Sequence, residues 1–185
     1  EWHAHPELEY QEKWPSDFIS TKLESLGIEV HRGLGTTGVV GSLKGLRANQ
    51  GGGGNKALGL RADMDALPMT EENDFSYKSK FDGRMHACGH DAHIAVMLGV
   101  ADFLSRNTSN LHGDILLIFQ PAEEGPPEGE EGGAELMLKE GIFEERPDVV
   151  FGMHVTNSYH GAVAVKAGPA MASAEAFRIN IKGTQ

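Results

Sequence analysis

Residues 92–104 would be apolar on nearly every side of a helix, with only His93 and Asp102 interrupting the run. Such a helix belongs inside a molecule, between a sheet and a further layer, because any face turned to water would be apolar. It cannot span a bilayer, which takes about 20 apolar residues. The longest strongly apolar run elsewhere, 115–119, is shorter still, so no membrane-spanning segment and no membrane partner is expected. Short apolar or alternating runs read as strands at 28–30, 39–43, 57–62, 115–119, 149–151, 162–165 and 174–181. Helical spacing recurs at Phe18, Ile19, Leu23 and Leu26, with Pro15 suited to the first turn and Gly27 to the stop. A second short helix is expected over 133–139. Strands alternating with helices predict an α/β fold with a mainly parallel, mixed sheet flanked by helices. A chain of 185 residues suits one domain, or one with an added piece.

The charge balance narrows the partners. A formal charge of −11 and a pI near 5.2 lack the basic footprint that phosphate backbones require, so nucleic acid is not an expected partner. Cys88 is the single cysteine, which excludes a disulfide within the chain. It does not fix the compartment, and the cytoplasm is the expected one. Gly33 to Gly38 spells the dinucleotide fingerprint GxGxxG, but the fingerprint needs a helix after its last glycine. Here Val39-Val40 follows, so a glycine-rich hairpin turn is expected instead. Residues 49–55 read as a flexible loop tip, and the acidic stretch 125–133 as a solvated loop. His3, His5, His31, His112 and His160 stand in polar surroundings and are expected at the surface.

Chemistry collects where open α/β sheets bind ligands, beyond the carboxyl ends of strands. Asp63 and Asp65 follow the run 57–62, though either could simply form a turn. Glu123-Glu124 follows 115–119, and His154 follows 149–151. Cys88-Gly89-His90 stands just ahead of the apolar helix. Cysteine and histidine two apart can aim at one ion, and thiolate, imidazole and carboxylate are ligands for zinc and its neighbours. In the paired glutamates, one carboxylate can bind metal while the other moves protons. Alone, a cysteine or a Glu-Glu pair signifies little; their joint placement is the signal. No HExxH, CxxC or GxSxG motif points to another hydrolase class.

Seven segments then resemble one known family in order: His5-Pro6-Glu7-Leu8, Gly35-Thr36-Thr37-Gly38-Val39-Val40-Gly41, Arg61-Ala62-Asp63-Met64-Asp65-Ala66-Leu67-Pro68, Met85-His86-Ala87-Cys88-Gly89-His90-Asp91-Ala92-His93, Phe119-Gln120-Pro121-Ala122-Glu123-Glu124-Gly125, Gly152-Met153-His154-Val155 and Gly168-Pro169-Ala170-Met171-Ala172-Ser173. Together they resemble the M20 metallopeptidases, and within them the amidohydrolases that act on N-acyl amino acids, hippurate and auxin conjugates. The resemblance implies a zinc-peptidase-like catalytic domain holding two divalent ions, zinc or manganese first and cobalt or nickel next. It implies Cys88, His90, Glu124 and His154 as ligands, Glu123 as general base and acid, and Asp65 in the catalytic set as the group that orients a ligand. It implies a small N-acyl amino acid or short peptide as substrate, with a carboxypeptidase or aminoacyl peptidase as the related alternative.

Members of that family are about twice as long, with a further metal-binding histidine beyond an inserted lid domain through which they form homodimers. The expected division is therefore 1–172 as the N-terminal part of the catalytic domain and 173–185 as the first strand of the lid. A piece of this length is expected to be inactive alone, and a catalytically silent fragment is the competing view. The loop 125–132 is longer and more acidic than this branch of the family leads one to expect.

Overall fold

The computed structural model describes residues 1–47, 56–141, 147–157, 160–173 and 177–183. Two units are distinct: Glu1–Val155, which carries all the helices and strands named below, and Thr156–Gln185. In the first unit a 13-residue helix α1 (Lys13–Ser25) leads into strands β1 (Glu29–Leu34) and β2 (Gly38–Leu43). Strand β3 (Ala57–Asp63), helix α2 (His90–Ser105), strand β4 (Asp114–Gln120), the short helix α3 (Gly133–Lys139) and strand β5 (Val149–Gly152) follow.

The sheet order is β1-β2-β4-β3-β5. β3 pairs in parallel with β4 and with β5, whereas β2 runs antiparallel to both β1 and β4. Four of the five strands therefore point the same way. Gly33 to Gly38 forms the turn of the β1–β2 hairpin, as the β-branched sequel to the motif requires. The 49–55 loop lies outside the described residues.

Period-two alternation on β4 explains the layers. Ile115, Leu117 and Phe119 face a core shared with Ile19 and Leu23 of α1 and Ile94, Met97, Leu98 and Ala101 of α2. Ile118 points the other way, with Val40 and Met137 of α3, and Leu116 packs against them. α1 and α2 thus cover one face and α3 the other. Full burial of a side chain such as Leu117 or Phe119 stabilises the fold by about 1.5–3 kcal/mol.

Two features depart from expectation. α2 buries His90, His93, Ile94, Met97, Leu98 and Ala101, but its opposite side leaves Val96 and Phe103 exposed. Among the described residues no second layer covers that side. In the unit Thr156–Gln185, the described residues of 162–165 and 177–181 lie in no strand; residues 174–176 are outside the described set. Alternating apolar residues supply strand propensity, but a strand also needs a neighbour to pair its amides and carbonyls. Among the described residues no helix is long and apolar enough to cross a membrane.

Candidate metal centre

The parallel register sets Asp63 beside Gln120 and Arg61 beside Gly152, so β3, β4 and β5 release their chains at one edge of the sheet. The N-terminus of α2 arrives at the same edge. Glycine at 89 makes that arrival possible: its φ is +90°, and a Cβ there would lie 2.3 Å from Val155 Cγ2.

Cys88 Sγ lies 3.3 Å from His154 Nε2. His154 donates Nδ1–H to the Val155 carbonyl at 2.6 Å, leaving Nε2 as the acceptor for the thiol. Cys88, His90 and His154 each offer a donor atom within 4.8 Å of the others, and so do His90, Glu123 and Glu124. Residues widely separated in sequence are thus gathered around the His90 ring. That ring is wholly buried and donates Nδ1–H to the Asp65 carbonyl at 2.9 Å, which turns the bare Nε2 toward the carboxylates. Nε2 stands 3.6 Å from Asp63 Oδ2, 3.7 Å from Glu123 Oε2 and 3.6 Å from Glu124 Oε1.

Both His90 Nε2 and Glu124 Oε1 are buried without a hydrogen-bond partner. Such atoms cost about 1–3 kcal/mol each when left unpaired. A cation between them would satisfy both.

The electrostatics agree with a place prepared for positive charge. Burial pushes the Cys88 thiol up to about 12, and the Glu124, Glu123 and Asp63 carboxylates add to that effect. Burial also opposes charge on His90, but Asp65, Asp63 and Glu124 outweigh it and hold the imidazole above its ordinary value. Glu123 is raised, chiefly by burial, with His90 and Arg61 pulling the other way. A carboxyl so raised is better matched to proton transfer near neutrality.

Asp65 holds two parts of the site at once. Its carbonyl fixes His90, and its Oδ2 accepts the Glu124 N–H at 2.8 Å. Three further groups support these side chains. Asp63 is no exposed turn former: it is fully buried and accepts from His93 Nδ1 at 2.5 Å and from Arg61 Nη1 at 2.7 Å. Burial alone would raise its pKa, but the His93 hydrogen bond and the Arg61 guanidinium hold the carboxyl below its ordinary value. Arg61 Nε in turn donates to Gln120 Oε1 at 2.8 Å.

His93 is committed on both sides. Its Nε2 accepts the Val155 N–H at 3.0 Å, so Asp63 and the loop carrying His154 are joined through one ring. With both nitrogens taken, the grouping of Asp63, His90 and His93 lacks a free donor at His93. Glu12 is the third, reaching Ala122 N–H at 2.9 Å from the far end of the chain. Ala122 has φ +45°, a left-handed conformation costing a non-glycine residue about 1–2 kcal/mol, and it turns the chain sharply ahead of the paired glutamates. Nothing in spacing or residue type announces these contacts. His86 is buried with both ring nitrogens unpartnered, and burial pushes its pKa down to about 4.

A mixed α/β sheet with thiol, imidazole and carboxylate groups at the carboxyl ends of its parallel strands has the form of a metallohydrolase centre. Residues 59–182 match the model of peptidase family M20/M25/M40, and the chain belongs to that family. It is 45% identical to thermostable carboxypeptidase 1 of Saccharolobus solfataricus, over 98% of this chain and 44% of that protein. It is 42% identical to the N-acyl-L-amino acid amidohydrolase of Geobacillus stearothermophilus, over 98% of this chain and 46% of that one. The crystal structure of Bacillus subtilis YXEP, described as a dinuclear metal-binding peptidase of the M20 family, matches with a TM-score of 0.74 at 37% identity. That match covers 84% of this chain and 41% of the other. The chain thus spans less than half the length of each of these three proteins.

Proposed function

We propose that this protein is a two-metal amidohydrolase that cleaves the amide bond of N-acyl amino acids. Cys88, His90, Glu124 and His154 are its metal ligands, Glu123 its proton carrier and Asp65 the residue that orients His90. The observation that carries this reading is the pair of buried, unpartnered atoms His90 Nε2 and Glu124 Oε1, 3.6 Å apart. The donor set suits zinc, and its carboxylate also admits manganese. Divalent ions held there supply Lewis acidity that polarises a carbonyl and acidifies a water.

The residues divide the remaining work. Asp65 keeps the His90 ring turned and, through the Glu124 amide, keeps that carboxylate in place. Glu123, with a side chain 36% exposed, can reach solvent and substrate while staying 3.7 Å from His90. At Oε2 it takes a proton from the attacking water, and from there returns it to the departing amine nitrogen.

Carboxypeptidase action on short peptides is a second reading, supported by the name of the Saccharolobus relative. The bond broken is of the same kind, so one assay separates them: full-length protein is offered N-acyl amino acids and peptides in parallel. Bound metal is measured on the same samples. Glu123→Gln should keep its metal and lose about 10²–10⁴-fold in rate. Glu124→Gln should lose metal and activity together. Full activity in the first variant, or full metal retention in the second, overturns the assignment of roles.

A further inference from the structure

Glu12 occupies the N-cap position of α1, yet its side chain makes no capping hydrogen bond to the helix. The carboxylate instead enters the interior, fully buried. Oε1 accepts the Ala122 N–H at 2.9 Å, and Oε2 accepts the Thr37 hydroxyl at 2.6 Å. Among the described residues no cationic side chain pairs with it. A carboxylate removed from water and met only by neutral donors costs stability, and an apolar side chain would fill the same space more favourably. What the carboxylate secures is one backbone amide.

That amide belongs to the residue with a left-handed φ immediately before Glu123-Glu124. On the other side of Glu123, Asp65 Oδ2 accepts the Glu124 N–H at 2.8 Å. The turn is therefore held at the amides flanking Glu123, by two acidic side chains from separate parts of the chain. Gly133 closes it from outside, donating its N–H to the Ala122 carbonyl at 3.3 Å. A Cβ on Gly133 would fall 1.8 Å from the Pro121 carbonyl oxygen, so α3 starts hard against the turn. Thr37 comes from the glycine-rich hairpin turn, is itself buried, and supports Glu12 from behind. A motif that resembles a nucleotide fingerprint thereby gains a different use.

We propose that Glu12 is a positioning residue for the metal centre: with Thr37 behind it, it fixes Ala122 in the strained turn that aims Glu123 and Glu124. This rests on the metal-site reading given above. A residue of this kind acts through others, and loss of such outer partners typically weakens metal affinity by about 10–100-fold.

The test uses apo full-length protein as wild type, Glu12→Ala, Glu12→Gln, Thr37→Val and a Cys88→Ala control. Amide hydrogen exchange is followed in a peptide covering 120–126, and zinc affinity is measured by titration. Glu12→Ala should speed exchange in that peptide well beyond any change elsewhere and weaken zinc binding about 10–100-fold. Glu12→Gln should recover most of both, since its amide oxygen still accepts from Ala122 while the Thr37 hydroxyl turns to accept from the new NH₂. If Glu12→Ala does not fold, Thr37→Val serves in its place, with smaller loosening at the same peptide and a smaller loss of zinc affinity. Unchanged exchange at 120–126, an equal rise in every peptide, or local loosening with zinc affinity intact each overturns the proposal. Wild type that binds no zinc, or a Cys88→Ala variant that binds it equally well, defeats the metal-site reading instead. The exchange result then still decides whether Glu12 holds the turn.

Discussion

His3 is not the surface residue that its polar surroundings imply. Its Nδ1 lies 2.8 Å from Asp91 Oδ2 and its Nε2 lies 3.0 Å from Glu71 Oε1, so it ties the first residues to a loop and to α2. Burial works against its charge, but Glu71 and Asp91 hold its pKa above the ordinary 6.5. Burial would likewise raise Glu71, yet the Ser79 amide, Asn73 and His3 bring it down to about 2 from 4.5. The histidine's contribution is full below pH 6.5 and fades as pH rises through its folded value. The glutamate's is full above pH 4.5 and fades as pH falls toward 2. The stability difference between wild type and His3→Gln should therefore be greatest between pH 4.5 and 6.5 and shrink on both sides. Thermal unfolding across that range checks this, and a difference independent of pH rules it out. Cys88, His90, the paired glutamates and His154 were legible in the sequence because their chemistry lies in the side chains themselves. The contacts of Glu12 and His93 were not, because each acts on a partner that only folding brings near, and Asp63 was readable as a group at the strand end but not as the acceptor for His93.

Between neighbouring elements, α2 and the loop after β5 approach closely at Gly89. Gly89→Ala adds a Cβ that meets Val155 and a methyl-bearing residue at φ +90°. It should cost about 1–3 kcal/mol and weaken zinc binding, because Cys88 and His154 sit on the two sides being forced apart. Denaturant midpoints and zinc titration on the same protein check both effects. Phe119 of β4 faces the core that the sheet shares with α1 and α2, so Phe119→Ala should cost about 3–5 kcal/mol, visible in the same denaturant curves. The helices and the strands of the first unit were readable from periodicity, and the hairpin from the β-branched residues after Gly38. Less legible were the outer side of α2 and the segments 162–165 and 177–181. A residue's own preference does not disclose whether anything is available to cover or pair with it.

Across the first unit, apolar surface remains open. β5 is exposed along its length, with Val149, Val150 and Phe151 at 50%, 50% and 61%, and Phe103 on α2 reaches 64%. An apolar edge strand is a template for further pairing. The 185-residue chain alone should therefore associate as its concentration rises. Val150→Lys should reduce that association in light scattering, and equal behaviour of the two proteins would exclude the edge as the cause. The donor groups at the sheet edge come from 63–65, 88–93, 120–124 and 154, and their meeting depends on β3 pairing with both β4 and β5. A nascent chain leaving the ribosome can present Cys88 and His90 on the order of ten seconds before His154 emerges, at roughly 5–20 residues per second. Until then a passing cation finds a thiol and an imidazole on a loose segment. On the proposed metal-site reading, metal capture would therefore be a late event in biosynthesis, and a bound ion would report that the strands had found their final order.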